Sequence, residues 1–190
     1  MTPREQRYGR FRIRVGTLTN VWTARAFNAA ASSARGTVHE ATGKDADTAV
    51  EALKLLIDEA ATTRRQGRRV DATSGFGVPT AEEYREALAV LRLTPRQRRM
   101  LEAHAAAGDA GLTATELAEA APYRDSSAAN LHYGKCGGSI AEELGIAAPE
   151  AASGDGPVLT GILASAGPPR EDGSFVWVMH PELREALGAS

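Results

Sequence analysis

The sequence lacks the features that would assign it to a membrane, to a disulfide-rich scaffold or to an exported protein. Cys136 is the single cysteine, which excludes an internal disulfide and a cysteine-rich zinc site. No apolar run approaches the ~20 residues that a membrane-spanning helix needs, and residues 1–15 contain no apolar segment typical of a signal peptide. We therefore expect a cytoplasmic protein of one or two small domains with no membrane partner.

Catalytic motifs are missing as well. The stretch GKDADT at 43–48 lacks the glycine spacing of a phosphate-binding loop, and GILASAG at 161–167 is not a nucleophile elbow. Cys136 lies four residues from His132, but without an orienting partner it is more typical of a buried apolar side chain. The sequence thus predicts no enzyme, no catalytic residue, no cofactor and no metal site. Its four histidines are scattered: His39, His104, His132 and His180.

Charge is divided unevenly along the chain. Lysine is scarce and arginine supplies most of the positive charge, a bias that is typical of GC-rich bacterial genomes. Residues 1–100 hold 18 Lys and Arg against 11 Asp and Glu, a net charge of +7, whereas residues 101–190 hold 4 against 13, a net charge of −9. Such a split indicates a polyanion partner for the first half. In the second half, only Asp125 among the 13 acidic residues falls between 120 and 141, which leaves this segment suited to DNA.

Residues 1–66 predict a small β-β-β-α domain. RFRIRV at 10–15 alternates apolar and basic residues, which is typical of a half-buried strand. Residues 21–27 and 36–42 predict two more strands. Residues 45–65 then carry apolar residues at helical spacing behind Asp45, which is suited to cap a helix.

An arginine row follows from the alternation of the first strand. Arg10, Arg12 and Arg14 share the polar face, and Arg25 is expected on the neighbouring strand. Each contact of such a residue with a phosphate adds salt-dependent, sequence-independent affinity for nucleic acid. The alternative is a solvated sheet face that discourages edge aggregation.

Residues 67–79 predict a linker, because they are rich in glycine and charge and have no period. Capping boxes at Thr80 and Thr113, and TPRQ at 94–97 with Pro95 in the first helical position, predict three helix starts, and Asp125 is expected to cap a longer helix. Residues 158–165 and 174–180 predict a β-hairpin, and a short helix closes the chain. This order over 80–190 is that of a winged helix-turn-helix. The expected fold class is therefore α+β, with the β-β-β-α domain followed by a winged-helix-like domain.

The predicted helix at 125–144 carries three glycines in its interior, where each costs about 1 kcal/mol relative to alanine. Three explanations for Gly134, Gly137 and Gly138 remain open: close helix packing or a kink, close approach of the backbone to DNA, and disorder of the helix. At helical spacing, one stripe of this helix is predicted to pack on the preceding helices. It consists of Ala129, Tyr133, Cys136, Ile140 and Leu144.

A second stripe of the same helix is small or polar and is predicted to read base edges in the major groove. Lysine and histidine donate to phosphates or guanine, and Asn130 is suited to adenine. Arg170 lies at the tip of the predicted wing, where arginine can enter a minor groove. The candidate nucleic-acid-binding residues of this domain are Arg124, Ser126, Ala128, Asn130, His132, Lys135, Ser139 and Arg170.

Residues 112–145, followed by FVWVMHPELREAL, resemble a module of bacterial proteins that also carry HNH nuclease domains. The group includes sulfur-binding-type domains of modification-dependent restriction proteins. The resemblance covers residues 94–188, with AANLHYGK and WVMHPEL as its most specific parts, and implies a winged-helix-like fold that recognises duplex DNA or modified DNA. It also implies an apolar cup formed by Pro122, Tyr123 and Ala128, flanked by the cations Arg124 and Lys135. The paired His and Asn of the nuclease are not found in this chain.

Together these patterns predict a non-enzymatic protein that binds double-stranded DNA in a bacterial defence or regulatory system. The alternative is a protein-interaction module, such as an antitoxin, a defence-system subunit or a phage-encoded inhibitor. In that case the helix at 125–144 docks a partner protein.

Overall fold

The computed structural model of the protein describes residues 4–29 and 36–188. It has an α+β fold in which a four-stranded antiparallel sheet is followed by a mainly helical region. The chain divides into two compact units, Met1–Gly67 and Arg68–Ser190. The first unit holds 11 Lys and Arg against 7 Asp and Glu, a net charge of +4, and the second holds 11 against 17, a net charge of −6. The charge difference therefore separates the two units, although it is smaller than the difference between the two halves of the sequence.

The first unit is an antiparallel sheet covered on one face by a helix. Its strands lie in chain order: β1 (Arg4–Tyr8), β2 (Phe11–Leu18), β3 (Val21–Asn28) and β4 (His39–Gly43). The helix α1 (Ala46–Gln66) packs on the inner face. Alternate residues of β2 and β3 are buried against α1, and the core consists of Phe11, Ile13, Val15, Ala24 and Ala26 with Ala49, Val50, Leu53 and Ile57.

The predicted β-β-β-α unit lacks one strand of the observed sheet. This fourth strand is the edge strand β1. The sequence of β1, REQRY, shows no apolar alternation. Polar side chains, and not apolar ones, connect this strand to α1. The guanidinium of Arg4 donates to Asp47 at 3.0 Å, and the hydroxyl of Tyr8 donates to Asp58 at 2.8 Å. A search for hydrophobic periodicity therefore cannot detect this strand.

The second unit combines five short strands with five helices among the described residues. In chain order these are β5 (Arg69–Val70), β6 (Gly77–Val78), α2 (Ala81–Leu88), α3 (Pro95–Ala106), β7 (Leu112–Thr113), α4 (Ala114–Ala120), α5 (Ser126–Leu144), β8 (Ala164–Ala166), β9 (Val176–Met179) and α6 (Pro181–Ala186). Strands β5 and β6 form a hairpin, and the other three form an antiparallel sheet in the order β7-β9-β8. Its core includes the fully buried Tyr84, Met100, Leu101, Leu117, Tyr133 and Ile140.

The helix starts predicted from capping residues are confirmed. The carboxylates of Asp45 and Asp125 accept hydrogen bonds from the backbone N–H groups of Thr48 and Ala128, each at 2.8 Å. The boxes that begin at Thr80, Thr94 and Thr113 each have both of their hydrogen bonds. Local sequence signals therefore fix where these helices begin.

Most of the segment 67–79, predicted to be a linker, belongs to the second unit. The strands β5 and β6 pair within it, and Val78 is fully buried. Arg69 donates twice to Glu182, at 2.7 and 3.0 Å, across 113 residues of sequence. The linker prediction is wrong here because composition does not reveal such long-range contacts.

The predicted strand at 158–165 is also corrected. It consists of a 3₁₀ turn, Leu159–Ile162, followed by the three-residue strand β8. Ile162 and Leu163 are consecutive and both fully buried. Successive residues of a strand point to opposite faces, so this pair is better accommodated by a turn against the core.

Candidate nucleic-acid interface

The two stripes predicted on α5 are the inner and outer sides of this helix. The inner stripe is buried, and Tyr133, Cys136 and Ile140 have no exposed area. On the outer side Lys135 and Ser139 are exposed, whereas Ala128 and His132 are half-buried. No Asp or Glu occurs between 126 and 141. We call the outer side the α5 face and define it by Ala128, Leu131, His132, Lys135 and Ser139.

Close packing explains the central glycine of α5, which runs without a break from Ser126 to Leu144. An added Cβ on Gly137 would lie 2.0 Å from the carbonyl oxygen of Leu159. On Gly134 or Gly138 an added Cβ would meet only side-chain atoms, at 3.4 Å or more. Gly137 is buried, so the contact it permits is with the 3₁₀ turn and not with a ligand outside the helix.

An aromatic and basic cluster lies near the start of α5. The rings of Tyr123 and His132 stack with centroids 5.0 Å apart and an interplanar angle of 23°. The guanidinium carbon of Arg96, from the first turn of α3, lies 5.3 Å from the centroid of Tyr123. We call these three residues the aromatic-basic cluster. Flat ring faces and guanidinium donors are side chains that nucleic-acid-binding proteins use on bases and phosphates.

Further candidate residues lie just before α5 and in its first two turns. The side chain of Arg124 is 92% exposed and donates to Asp125 at 2.9 Å. Hydrogen bonds from the backbone of Ala128 and from Arg124 lower the pKa of Asp125, which stays ionised as the helix cap. Asn130 is exposed and Ser126 is half-buried. The cap thus holds one carboxylate beside otherwise polar and basic groups.

The α5 face also carries an apolar side chain that the sequence reasoning did not single out. Leu131 is 58% exposed, one helical turn before Gly134. The neighbouring Leu159, which packs against Gly134 and Gly138, is 40% exposed. Helical periodicity alone indicated the outer side, but not that it would include a leucine.

The predicted arginine row lies on the outer face of the sheet in the first unit. Arg12 and Arg14 are exposed and Arg25 is half-buried, and Arg14 and Arg25 are directly opposite each other on β2 and β3. Glu5 accepts from Arg14 at 2.7 Å and lies 3.6 Å from Arg12, and Glu40 accepts from Arg25 at 2.6 Å. We call this surface the sheet face; it consists of Glu5, Arg7, Arg12, Arg14, Arg25 and Glu40.

Arg7 was not predicted as a member of this surface. It lies on β1 directly opposite Arg12, so that four arginines and two glutamates share the sheet face. Because the strand β1 has no apolar alternation, its sequence does not indicate that Arg7 belongs to the sheet.

Arg10 and Arg170 lie neither on these surfaces nor near the start of α5. Arg10 is in the turn between β1 and β2, next to Gly9 at φ 54°, and its guanidinium carbon is 4.9 Å from the ring centroid of Phe11. The strand begins only at Phe11, so Arg10 is not part of the row. Arg170, in the loop between β8 and β9, donates to Glu116 of α4 at 2.9 Å. Its charge is therefore partly compensated by a carboxylate of the same unit.

Burial shifts the pKa of Cys136 and of His104 in opposite directions. Burial raises the pKa of the Cys136 thiol to about 12, which disfavours the thiolate needed for nucleophilic attack. Burial likewise lowers the pKa of His104 to about 4. Neutral His104 donates from Nε2 to the carbonyl oxygen of Trp177 at 2.8 Å and accepts at Nδ1 from the hydroxyl of Tyr133. This ring is thus held between two structural partners.

Residues 4–29 and 36–188 contain neither a group of metal ligands nor a helix that could span a membrane. No three His, Cys, Asp or Glu side chains there are grouped so that they could hold a metal ion. Neither the long helix α1 nor any other helix in these ranges has the length and apolarity to cross a membrane.

No protein-family model, curated protein or solved structure matches this chain. The resemblance to the nuclease-associated module therefore stays a prediction that rests on the quoted residues. The same holds for the implied cup, of which the structure places Tyr123 in the aromatic-basic cluster and leaves Ala128 half-buried.

Proposed function

We propose that the protein binds double-stranded DNA without catalysing a reaction on it, and that the α5 face contacts the bases. One observation carries this proposal: beside Leu131, the outer side of α5 presents small, polar and basic side chains with no carboxylate from 126 to 141, while its inner side is buried. A helix anchored on one side, with short side chains on the other, fits the width of a major groove.

The order of elements in the second unit supports this role for α5. The elements α3, β7, α4, α5, β8 and β9 follow one another, and the strands pair in the order β7-β9-β8. This is the arrangement expected of a winged helix-turn-helix, in which α5 is the recognition helix and the β8–β9 loop is the wing. The winged-helix arrangement of the second unit is therefore part of the proposal.

The sheet face supplies affinity that does not depend on base sequence. Its arginines are paired with Glu5 and Glu40 only at the exposed surface, where an ion pair is worth about 0–1 kcal/mol. A phosphate can replace such a partner at low cost, and each replacement releases counterions from the duplex. The first unit, with a net charge of +4, therefore attracts the polyanion.

The direct test is a titration of a labelled random duplex, followed by fluorescence anisotropy at low and at moderate salt. We expect binding that weakens steeply as salt rises, with a slope close to −0.9 for each phosphate contacted. Binding that is absent at low salt would contradict the proposal. A duplex with phosphorothioate linkages, compared in the same titration, tests preference for modified DNA.

A matched pair of variants tests the α5 face. Lys135→Gln removes a positive charge from this face, whereas Arg85→Gln removes one that lies between Glu82 and Glu185. We expect Lys135→Gln, alone or with His132→Ala, to reduce discrimination between duplexes and to leave affinity for random DNA largely in place. Equal effects of Lys135→Gln and Arg85→Gln would contradict the role of the α5 face.

A protein-docking role for α5 is the second candidate, favoured by the exposed Leu131 beside Leu159. An exposed apolar side chain on a helix can dock into a hydrophobic groove of a partner protein. Under this alternative, no duplex binds at low salt, and Leu131→Ser abolishes capture of the partner protein. Under the DNA proposal, Leu131→Ser changes duplex affinity only slightly.

A further inference from the structure

A cavity of about 410 Å³ lies within the second unit, away from the residues that define the α5 face. It is partly enclosed by the turn of the β5–β6 hairpin, by the segment 149–152 and by the β8–β9 hairpin. Its volume is in the range of sites that bind small organic molecules. The side chains that line the cavity, and their charge, indicate which class of small molecule it can bind.

Two aromatic rings form a corner in this cavity. Phe175 and Trp177 both line it, with ring centroids 4.8 Å apart and an interplanar angle of 70°. Phe175 is 53% exposed, which is unusual for a phenylalanine next to the core. Pro149 and Val158 contribute further apolar wall. Perpendicular ring faces around a small apolar space are the arrangement that binds alkylated cations.

The polar lining of the cavity is negative. It includes the carboxylates of Asp71 and Glu150 and no Lys, Arg or His side chain among the described residues. Asp71 is 7% exposed, and hydrogen bonds from Ser165 at 2.6 Å and from Ser74 at 2.7 Å hold its carboxylate in place. Although burial alone would raise the pKa of Asp71, these hydrogen bonds lower it to about 2.

No cation donates a hydrogen bond to Asp71 among the described residues; the charge of Arg69, which pairs with Glu182 and does not line the cavity, acts on Asp71 from a distance. Among the described residues its four donors are all uncharged: the backbone N–H groups of Thr73 and Ser74 and the hydroxyls of Ser74 and Ser165. A fixed carboxylate under an apolar, partly enclosed space attracts cations and repels phosphates. The cavity is therefore unsuited to the DNA backbone.

From this geometry we propose that the cavity binds a small quaternary ammonium compound, whose methyl groups contact Phe175 and Trp177 and whose charge is balanced by Asp71 and Glu150. A compact cation with an apolar surface satisfies both the rings and the carboxylates, whereas a primary amine would need hydrogen-bond acceptors that Asp71 has already committed. This site does not depend on DNA binding.

Choline and its neutral isostere 3,3-dimethylbutan-1-ol test the proposal in the full-length protein. In a Trp22→Phe background Trp177 is the remaining tryptophan, so its fluorescence reports on the cavity. We expect a saturable change with choline and binding about tenfold weaker with the neutral alcohol, because it lacks the cation–π attraction. Equal binding of the two, or no saturable change with choline, overturns the proposal.

Two variants with matched controls locate the binding. Phe175→Leu and Glu150→Gln should each weaken choline binding several-fold, because Phe175 is an exposed wall and Glu150 an exposed carboxylate of the lining. The controls Phe27→Leu, in the first unit, and Glu171→Gln, outside the cavity lining, should leave choline binding unchanged. Circular dichroism confirms that the variants are folded. Unchanged choline binding in both lining variants overturns the assignment to this cavity.

Discussion

The two units use their charged side chains in different ways. In the first unit, arginines outnumber carboxylates on one exposed surface, where Arg12 and Arg14 share Glu5. In the second unit, charged residues mostly join one element to another: Arg68–Glu83, Arg69–Glu182, Arg85–Glu185, Arg170–Glu116 and Arg184–Asp109. The second unit is the more acidic, yet the α5 face carries no carboxylate from 126 to 141. The net charge of a unit is therefore a poor guide to the charge of one of its surfaces.

The units also differ in what they bury. The core of the first unit is aliphatic apart from Phe11, whereas the second unit buries Tyr84, His104, Tyr133 and His180. Polar core groups need specific partners, so the second unit is expected to be more sensitive to pH and to small changes in packing. Because Trp22 lies in the first unit and Trp177 in the second, each unit can be followed by its own fluorescence.

The largest effect is expected from Gly137→Ala. The new Cβ would lie 2.0 Å from the carbonyl oxygen of Leu159, a backbone atom that cannot move without shifting the 3₁₀ turn. We expect the free energy of unfolding of the second unit to fall by about 4 kcal/mol. Urea unfolding in a Trp22→Phe background, followed by Trp177 fluorescence, measures it.

Gly138→Ala is the matched control for this substitution. Its Cβ would meet only the flexible end of Leu159 at 3.4 Å, and alanine favours the helix by about 1 kcal/mol. This variant should be as stable as the unchanged protein or more so. Similar losses at both glycines would show that the close contact at Gly137 is not the reason for the glycine.

Acid should destabilise the second unit before the first. The pKa of His104 is lowered to about 4 by burial, and burial also lowers the pKa of His180. Between about pH 4 and 6.5 the unfolded chain binds more protons than the folded one, so stability rises with pH in this window and is lost as pH falls through it. His104 alone accounts for about 3 kcal/mol. Urea unfolding from pH 7 to pH 4, read separately at Trp177 and at Trp22, measures the difference.

Single substitutions identify the group responsible. His104→Gln should make the free energy of unfolding of the second unit less dependent on pH. This holds even if the substitution lowers that free energy at pH 7. His39→Gln, on the half-buried β4 of the first unit, should leave that dependence unchanged. A pH dependence that survives in both variants would assign the effect to other groups.

These features differ in how far the sequence could predict them. Helix starts were predictable because the capping residue and its partner are three positions apart, as with Thr80 and Glu83. The stripes of α5 were predictable because helical spacing alone separates its buried side from its exposed side. The strands β2 and β3 were predictable from alternation, which β1 lacks.

What could not be predicted depends on contacts between distant residues. Ser165 donates to Asp71 across 94 residues, and this contact, together with the pair Arg69–Glu182, makes residues 69–78 part of the second unit. The aromatic-basic cluster likewise joins Arg96 of α3 to Tyr123 before α5. Periodicity and composition carry no information on such pairs, so the geometry of the candidate site had to come from the fold.

The sheet face should contribute to the salt dependence of DNA binding. Replacing Arg12, Arg14 and Arg25 together by glutamine removes up to three phosphate contacts. We expect the slope of log affinity against log salt to become shallower by about 2 to 3. Anisotropy titrations over a series of salt concentrations measure the slope.

A triple variant with the same loss of charge serves as the control. Arg4, Lys44 and Lys54 belong to the same unit but lie outside the sheet face, and two of them pair with carboxylates of α1. Their replacement by glutamine should change the slope much less. Equal changes would mean that the first unit acts through its net charge and not through the sheet face.

The smallest effect is expected from Arg170→Gln in the β8–β9 loop. The ion pair with Glu116 is partly exposed, at 42% and 32% for the two side chains, so its loss should lower the free energy of unfolding by less than about 1 kcal/mol. If the loop is a wing that contacts DNA, the same variant should weaken duplex binding more than it weakens folding, because Arg170 then exchanges Glu116 for a phosphate. Urea unfolding and anisotropy on the same preparation separate the two. If Arg170→Gln lowers the free energy of unfolding but not the affinity for duplex DNA, Arg170 acts only in an ion pair within the second unit and does not contact DNA.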